Sequence, residues 1–239
     1  MLQVLLGFYS EVLEIAVTRV STGVGVLPTS RVKNTGTILE KLERHGGSWL
    51  KSIQDLAGMR IVADVNRSGQ DELVRRVVAE FSEESRTPRV VDRREVPSHG
   101  YTAVHVVVFP DGIPVEVQVR TRLQHEWAEM FEKLADRVGR GIRYGNPPDH
   151  WDKKVRALEP KDLSQEQRDS LKELYDLAYE LRVVMVKEAI TAGKLIGAVE
   201  AAEAEMAEDE IDEYRRKIAE ALARLRVEIE DFTSLDIDT

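Results

Sequence analysis

Residues Val115 to Arg120 alternate cleanly, with Val115, Val117 and Val119 facing one way and Glu116, Gln118 and Arg120 the other. A carboxylate, an amide and a guanidinium thus project from one side of a strand whose other side is valine-rich. An edge strand with a solvated polar face accounts for this hexapeptide as well as a site does. Aimed into a cleft, Glu116 would instead hold Mg²⁺ or take a proton from a hydroxyl. Asp55, just ahead of the run that starts at Gly58, is a second candidate carboxylate, although alone it reads more simply as a turn residue. Two carboxylates with basic residues elsewhere fit a Mg²⁺–nucleotide site, because Mg²⁺ usually takes one or two carboxylates and leaves the rest to phosphate and water.

The basic candidates are Arg31, Lys33, Lys41 and Arg44. Lys41 and Arg44 are three apart and share a helix face, which an ordinary charged surface would also explain. Tyr101 follows His99-Gly100, and the glycine would let a base approach closely enough to stack; a core-filling tyrosine at a strand start is the alternative. His105 and His125 are possible donors to phosphate or ribose. No His/Glu spacing recommends zinc, the absence of cysteine excludes thiolate chemistry, and there is no P-loop.

Several elements must carry these groups. Val4, Leu5, Phe8, Val12, Ile15 and Ala16 fall at helical spacing, so the first twenty residues are expected to be a helix, followed by a glycine-containing loop. Thr37 and Glu40 have capping-box spacing and Gly46-Gly47 is a stop, which predicts a short helix between them. Met59 to Ala63 reads as a buried strand, and Leu73, Val77, Val78 and Phe81 as one face of a helix. Tyr101 to Phe109 and Val115 to Arg120 are expected strands joined at Pro110-Asp111-Gly112, which would place Tyr101 and His105 on one face. A helix with Leu123, Trp127, Met130 and Leu134 inward comes next. Gly139 to Pro148 looks like a boundary between residues 1–148 and 149–239. Beyond it, Ser164 and Gln167 cap a helix expected to run to about Ile190. A second helix, carrying Ile211, Tyr214, Ile218, Leu222, Leu225 and Ile229, completes a helical hairpin.

The net charge of −9 is concentrated at the end: residues 196–239 hold 14 acidic and 5 basic side chains, leaving 29 of each in residues 1–195. The acidity therefore does not count against a nucleic-acid partner for the first part of the chain. No apolar run approaches the roughly 20 residues that span a bilayer. The opening segment carries Glu11 and Glu14 and reads as an amphipathic helix rather than a signal peptide, so no membrane partner and a cytoplasmic location are expected.

Taken in order, these pieces resemble the synthetase domain of the RelA/SpoT family, specifically its small alarmone synthetases. The matching blocks are Arg31-Val32-Lys33 with Lys41-Leu42-Glu43-Arg44, then Ile53-Gln54-Asp55-Leu56-Ala57-Gly58-Met59-Arg60. Gly100-Tyr101-Thr102-Ala103-Val104-His105 and Val115-Glu116-Val117-Gln118-Val119-Arg120-Thr121 complete the set. The resemblance covers residues 31–131 and does not extend to residues 150–239. It implies an α/β (α+β) fold: a nucleotidyltransferase-like mixed sheet flanked by helices, here followed by the helical hairpin. It also implies a pyrophosphokinase that transfers pyrophosphate from ATP to a ribose 3′-hydroxyl. By motif match, Arg31 and Arg60 would sandwich the adenine, and Lys33, Lys41 and Arg44 would hold the phosphates. Asp55 and Glu116 would bind Mg²⁺, with Glu116 also activating the attacking hydroxyl. Tyr101 would stack on the acceptor base, with His105, Gln118 and His125 lining that side.

The departures lie on the acceptor side. The loop Val96-Pro97-Ser98-His99 is one residue shorter than usual and lacks the lysine that family members usually carry after the proline; Thr102 stands where arginine is common. Arg93 or Arg94 would have to compensate toward a 5′-diphosphate. The stretches 97–105, 124–129 and 133–136 look more like the toxic branch of small synthetases, some of which modify the 3′-terminal adenosine of tRNA to inhibit translation. That adenosine has no free 5′-phosphate, so the loop favours tRNA, whose backbone basic patches such as Arg75-Arg76, Arg86, Arg89, Arg93-Arg94 and Arg137 to Arg143 would grip. The alternatives are (p)ppGpp synthesis from GDP or GTP in the stringent response, adenine alarmone synthesis, or a partner-binding module. The acidic C-terminal helices would serve an antitoxin or a homo-oligomer.

Overall fold

Apolar residues at spacings of three and four make the opening stretch a helix, α1 (Leu2–Arg19). The computed structural model describes residues 2–32, 56–149 and 163–231. Val12, Leu13 and Ala16 form the buried stripe of α1, whereas Val4, Phe8 and Ile15, expected on the same face, are exposed. Where a loop was expected, the chain stays helical in a wider turn, Val20–Val24, with Val20 and Val24 buried. The short helix expected between Thr37 and Gly46 lies outside the described residues.

Five strands form one mixed sheet: β1 (Thr29–Val32), β2 (Ala57–Ala63), β3 (Arg89–Asp92), β4 (Val104–Val108) and β5 (Val115–Thr121), in the order β1-β2-β5-β4-β3. β2 runs parallel to β5, and the other pairs are antiparallel. Helix α2 (Arg67–Glu80), capped by the Asn66 side chain, follows β2. The mixed sheet with flanking helices is the fold class the sequence implied. β1 and β3, which the sequence reading missed, are its two edges; both are four residues long, mostly exposed and headed by charged or polar residues. Short charged edges blunt pairing with other sheets and carry no alternation to read.

One face of the sheet holds the core of this part of the chain. Ala57, Met59 and Ile61 of β2, Val115, Val117 and Val119 of β5, and Val106 and Val108 of β4 pack with Val12, Ala16 and Val20, and with Leu73, Val77 and Phe81 at α2. Each such aliphatic side chain contributes roughly 1.5–3 kcal/mol on burial. Phe81 is fully buried beneath the Arg19 guanidinium, 4.3 Å from its ring centre. Arg19 in turn pairs with Glu80 at 3.1 Å and with Glu84, tying α1 to the end of α2.

The strand expected from Tyr101 begins three residues later, at Val104. His99 and Gly100 have φ of 52° and 86°, and Tyr101 makes only an isolated bridge to Ser98. Tyr101 therefore does not share a strand face with His105; the left-handed pair ahead of it turns the chain where the alternation rule assumed extension.

The described residues divide into two compact units, one drawn from 1–96 and 102–125, the other from 97–101 and 126–239. The boundary falls within helix α3 (Arg122–Val138), on which Trp127, Met130 and Leu134 are buried as expected. In the second unit a short 3₁₀ turn, Arg140–Tyr144, precedes helix α4 (Gln165–Ala202). The Ser164/Gln167 capping box is present, with Gln167 N–H to Ser164 Oγ at 3.3 Å and Ser164 N–H to Gln167 Oε1 at 2.9 Å. The helix runs twelve residues past the expected end at Ile190, because Gly193 lies on its buried face and does not break it. Helix α5 (Glu208–Asp231) buries Ile218, Leu222 and Ile229 and leaves Tyr214 exposed. Arg215 binds the buried Glu203 at 2.8 Å, and Arg137 donates to the Ile229 carbonyl at 2.5 Å near the end of α5, where cations are favoured. Among the described residues no helix is long and apolar enough to cross a membrane.

Deleting the Phe81 ring tests the core. Phe81→Ala is expected to cost about 3–5 kcal/mol, whereas Val4→Ala on the exposed side of α1 stays within about 0.5 kcal/mol. Urea unfolding of both variants measures the difference.

Candidate active site on the polar face of the sheet

The side of the sheet opposite the core is ordered by strand register. One row runs Arg31, Gly58, Glu116, Val107, Arg89 across the five strands, and the next runs Thr29, Arg60, Gln118, His105, Val91. Residues paired across neighbouring strands share a face, so Arg31, Arg60, His105, Glu116 and Gln118 project to the same side. Gly58, opposite Glu116, leaves room beside that carboxylate.

Hydrogen bonds link three of these side chains, with Arg120, in sequence. Glu116 Oε1 lies 2.9 Å from His105 Nδ1 on the diagonal across β4 and β5. Gln118 donates from Nε2 to Glu116 Oε2 at 2.8 Å, and Arg120 donates to Gln118 Oε1 at 2.8 Å. Arginine has only donors, so Gln118 must turn its carbonyl oxygen to Arg120 and its NH₂ to Glu116. Glu116 thus meets Gln118 on one oxygen and His105 on the other. Glu116 and His105 are 19% and 16% exposed and Arg120 is 6% exposed, so this chain of bonds is largely shielded while still reaching solvent. It is not the solvated edge that the hexapeptide alone allowed: β5 is the central strand.

A second network supports the end of β5. Thr121 and Gln124 form a capping box at the start of α3, with Gln124 N–H to Thr121 Oγ1 at 3.2 Å and Thr121 N–H to Gln124 Oε1 at 3.3 Å. Gln70, fully buried on α2, donates to both Gln124 Oε1 at 2.8 Å and the Val119 carbonyl at 2.9 Å. Its own Oε1 accepts from Arg94 at 2.9 Å. Arg94 also binds Asp92 and Asp71, both at 2.6 Å, and is 8% exposed. It is a structural cation, which corrects its expected role as a spare charge for an acceptor's phosphates; Arg93, beside it, is exposed. The sequence did carry a signal for Gln70: it precedes Leu73 and Val77 by three and seven residues, a polar side chain on a core face.

The remaining candidates are placed as follows. His125 is the fourth residue of α3, half-buried, immediately after Gln124. Tyr101 belongs to the second unit, its ring centre 6.4 Å from that of Trp127. Lys33, Lys41, Arg44 and Asp55 lie outside the described residues. No group of three or more His, Asp or Glu converges as a metal cluster among the described residues. Glu116 nevertheless offers the hard oxygen donor Mg²⁺ prefers, and a single carboxylate completed by phosphate and water is within that ion's ordinary coordination.

Residues 30–135 match the family model described as the region found in RelA / SpoT proteins. The matched residues take in β2 to β5, all but the first residue of β1 and most of α3. Over 124 residues it is 44% identical to the uncharacterized protein Rv1366 of Mycobacterium tuberculosis, an alignment that covers 52% of this chain and 45% of that protein. The chain therefore spans a little under half the length of the curated relatives it matches. Among solved structures, it is similar to small alarmone synthetase 1 from Bacillus subtilis bound to its product pppGpp, at 23% identity and TM-score 0.47, covering 75% of this chain and 96% of that one. A GTP pyrophosphokinase family protein from Streptococcus pneumoniae is similar at 20% identity and TM-score 0.47, covering 76% and 96%.

The Arg94 cluster makes stability depend on acid. Burial raises the Asp92 carboxyl, but hydrogen bonds and charge from Arg94 outweigh it and hold the group below the ordinary carboxylate range. Its folded pKa is depressed, so its contribution is complete above the unfolded value of about 3.9 and is lost as pH falls through the folded value. Asp92→Asn is expected to destabilise the protein at neutral pH by about 1–3 kcal/mol and to flatten the fall in stability below about pH 4. Unfolding measured between neutral and acid pH checks both; an unchanged acid limb in the variant refutes the assignment.

Proposed function

We propose that the chain is an ATP-dependent pyrophosphokinase that transfers the β,γ-pyrophosphate of ATP to a ribose 3′-hydroxyl. The observation that carries this reading is the ordered His105–Glu116–Gln118–Arg120 chain on the polar face of the RelA/SpoT region, in register with Arg31 and Arg60. The hydroxyl oxygen forms a bond to the β-phosphorus, the bond from that phosphorus to the α–β bridging oxygen breaks, and AMP leaves with the oxygen. Glu116 takes the hydroxyl proton. Gln118 and His105 hold the carboxylate in place for that task, and Arg31 and Arg60 flank the adenine, with Lys33, Lys41 and Arg44 on the phosphates. Reactions of this type depend chiefly on positioning and charge neutralisation. Mg²⁺, held by Glu116 and Asp55, would supply part of that neutralisation when bound.

For the acceptor, the reading favours the 3′-terminal adenosine of tRNA. The loop ahead of Tyr101 has no lysine, and Arg94, one of two arginines positioned in sequence to compensate, is committed to Asp92, Asp71 and Gln70. A terminal adenosine, which has no free 5′-phosphate, loses nothing by this. Tyr101 stacks on its base and His125 lines that side. This is the activity proposed for the toxic branch of small synthetases, with an antitoxin or a second copy engaging the C-terminal helices.

Labelled ATP supplied separately with deacylated tRNA, GDP, GTP, AMP and ATP distinguishes the acceptors. Label is expected in tRNA; label confined to a guanine nucleotide replaces this acceptor with (p)ppGpp synthesis. Glu116→Gln is expected to lower transfer by about 10³-fold or more while ATP affinity stays within about threefold. Full biological effect surviving that change would instead make the chain a binding module.

A further inference from the structure

Helix α4 has no part in the chemistry above, yet its buried face is built around the loop that carries Tyr101. Val186, Ala189, Gly193 and Ile196 form that face. A methyl group placed on Gly193 would fall inside contact distance of the Gly100 carbonyl oxygen and 2.7 Å from Cε2 of Trp127. From the other side, a methyl on Gly100 would lie 2.7 Å from the Ile190 carbonyl oxygen and 3.0 Å from Cζ2 of Trp127. Backbone meets backbone here with no side chain between.

Trp127 closes the junction. Its indole N–H donates to the Ala189 carbonyl at 2.6 Å, its ring is 2% exposed, and Phe131 stacks on it at 4.8 Å. On the far side of the loop, the His99 ring rests on Gly145, where a Cβ would collide with it. Two consecutive left-handed residues, His99 and Gly100, are thus each seated on a glycine of another element, and they lead directly into Tyr101. The Tyr101 N–H returns to the Ser98 carbonyl at 2.9 Å. Outside the sheet, this loop is shaped by that hydrogen bond and by its close packing on Gly145, Gly193 and Trp127.

We propose that α4 is a positioning element for the acceptor, with Gly193 as the positioning residue: its contact with Gly100 sets the placement of Tyr101 and so the affinity for the acceptor nucleoside, independently of ATP. This rests on the reading of Tyr101 as the residue that stacks on the acceptor base. Misplacing a positioning group by a fraction of an ångström to an ångström is costly even far from the reacting atoms. One methyl at Gly193 forces such a shift, because the obstacle is backbone rather than a flexible side chain.

The test uses the full chain. Gly193→Ala is expected to raise the acceptor KM about tenfold, leave the ATP KM within about twofold, and speed hydrogen exchange at the Tyr101 amide about tenfold. Lys194→Ala, an exposed position on the same turn, leaves all three at their starting values. Trp127→Phe keeps an aromatic ring and deletes the bond to Ala189; it is expected to shift the same readouts less, and it carries the test if Gly193→Ala does not fold. Parallel loss toward ATP and acceptor, or an unchanged acceptor KM with unchanged Tyr101 exchange in a folded variant, overturns the proposal. If the unaltered protein transfers pyrophosphate to no acceptor, the reaction assigned above is at fault. Exchange at Tyr101 then still decides whether α4 holds the loop.

Discussion

The parallel pairing of β2 with β5 is the constraint from which both faces of the sheet follow. Its register sets Met59 against Val117 and Ile61 against Val119 on the core side, and Gly58 against Glu116 and Arg60 against Gln118 on the other. A slip of one residue would turn the valines of β5 outward and drive Glu116 and Gln118 into the apolar layer. Each misplaced valine forfeits roughly 1.5–3 kcal/mol, and a buried carboxylate without partners costs more. The hydrophobic pattern that builds the core is therefore also what aims the polar side chains. No separate device is required to bring Arg31, Arg60, His105, Glu116 and Gln118 to one surface.

Within that surface, orientation is passed along a chain of hydrogen bonds. Arg120 fixes the amide of Gln118, and Gln118 and His105 each hold one oxygen of Glu116. The Arg94 cluster shows the converse use of the same chemistry. Bound to two carboxylates and to Gln70, this arginine links β3 to α2 and is spent as structure. Counting basic residues near a site overstates the positive charge a ligand would meet.

The sequence was informative wherever a pattern repeats. The alternation of β5, the apolar spacings of α1, α2, α3 and α5, and the Ser164/Gln167 box each correspond to an element of the structure. The turn at Pro110-Asp111-Gly112 was equally legible; the edges and the turn before Tyr101 were not. β1 and β3 bury almost nothing, so no periodicity marks them, and the left-handed pair at His99 and Gly100 interrupts a run whose composition still reads as strand. Helix α4 continues past Ile190 because its buried face continues through Gly193, Ile196 and Val199. Of the site, Glu116, Gln118 and His105 were legible as polar positions between valines. Their mutual hydrogen bonds were not, because they depend on the pairing of β4 with β5 and on the side chain of Arg120. The buried cap at Thr121 and Gln124 has the spacing of a capping box.

The meeting of Gly100 with Gly193 has a meaning for how this chain can change over generations. Two positions far apart in sequence share room too small for a single added carbon. Neither can drift to a larger residue unless the backbone of the other retreats, so the helix and the loop vary as a pair. A recombination event that exchanged only the helical end of the chain would deliver a helix unfitted to the loop it meets. Replacing the C-terminal helices would therefore require a matching change in the turn before Tyr101.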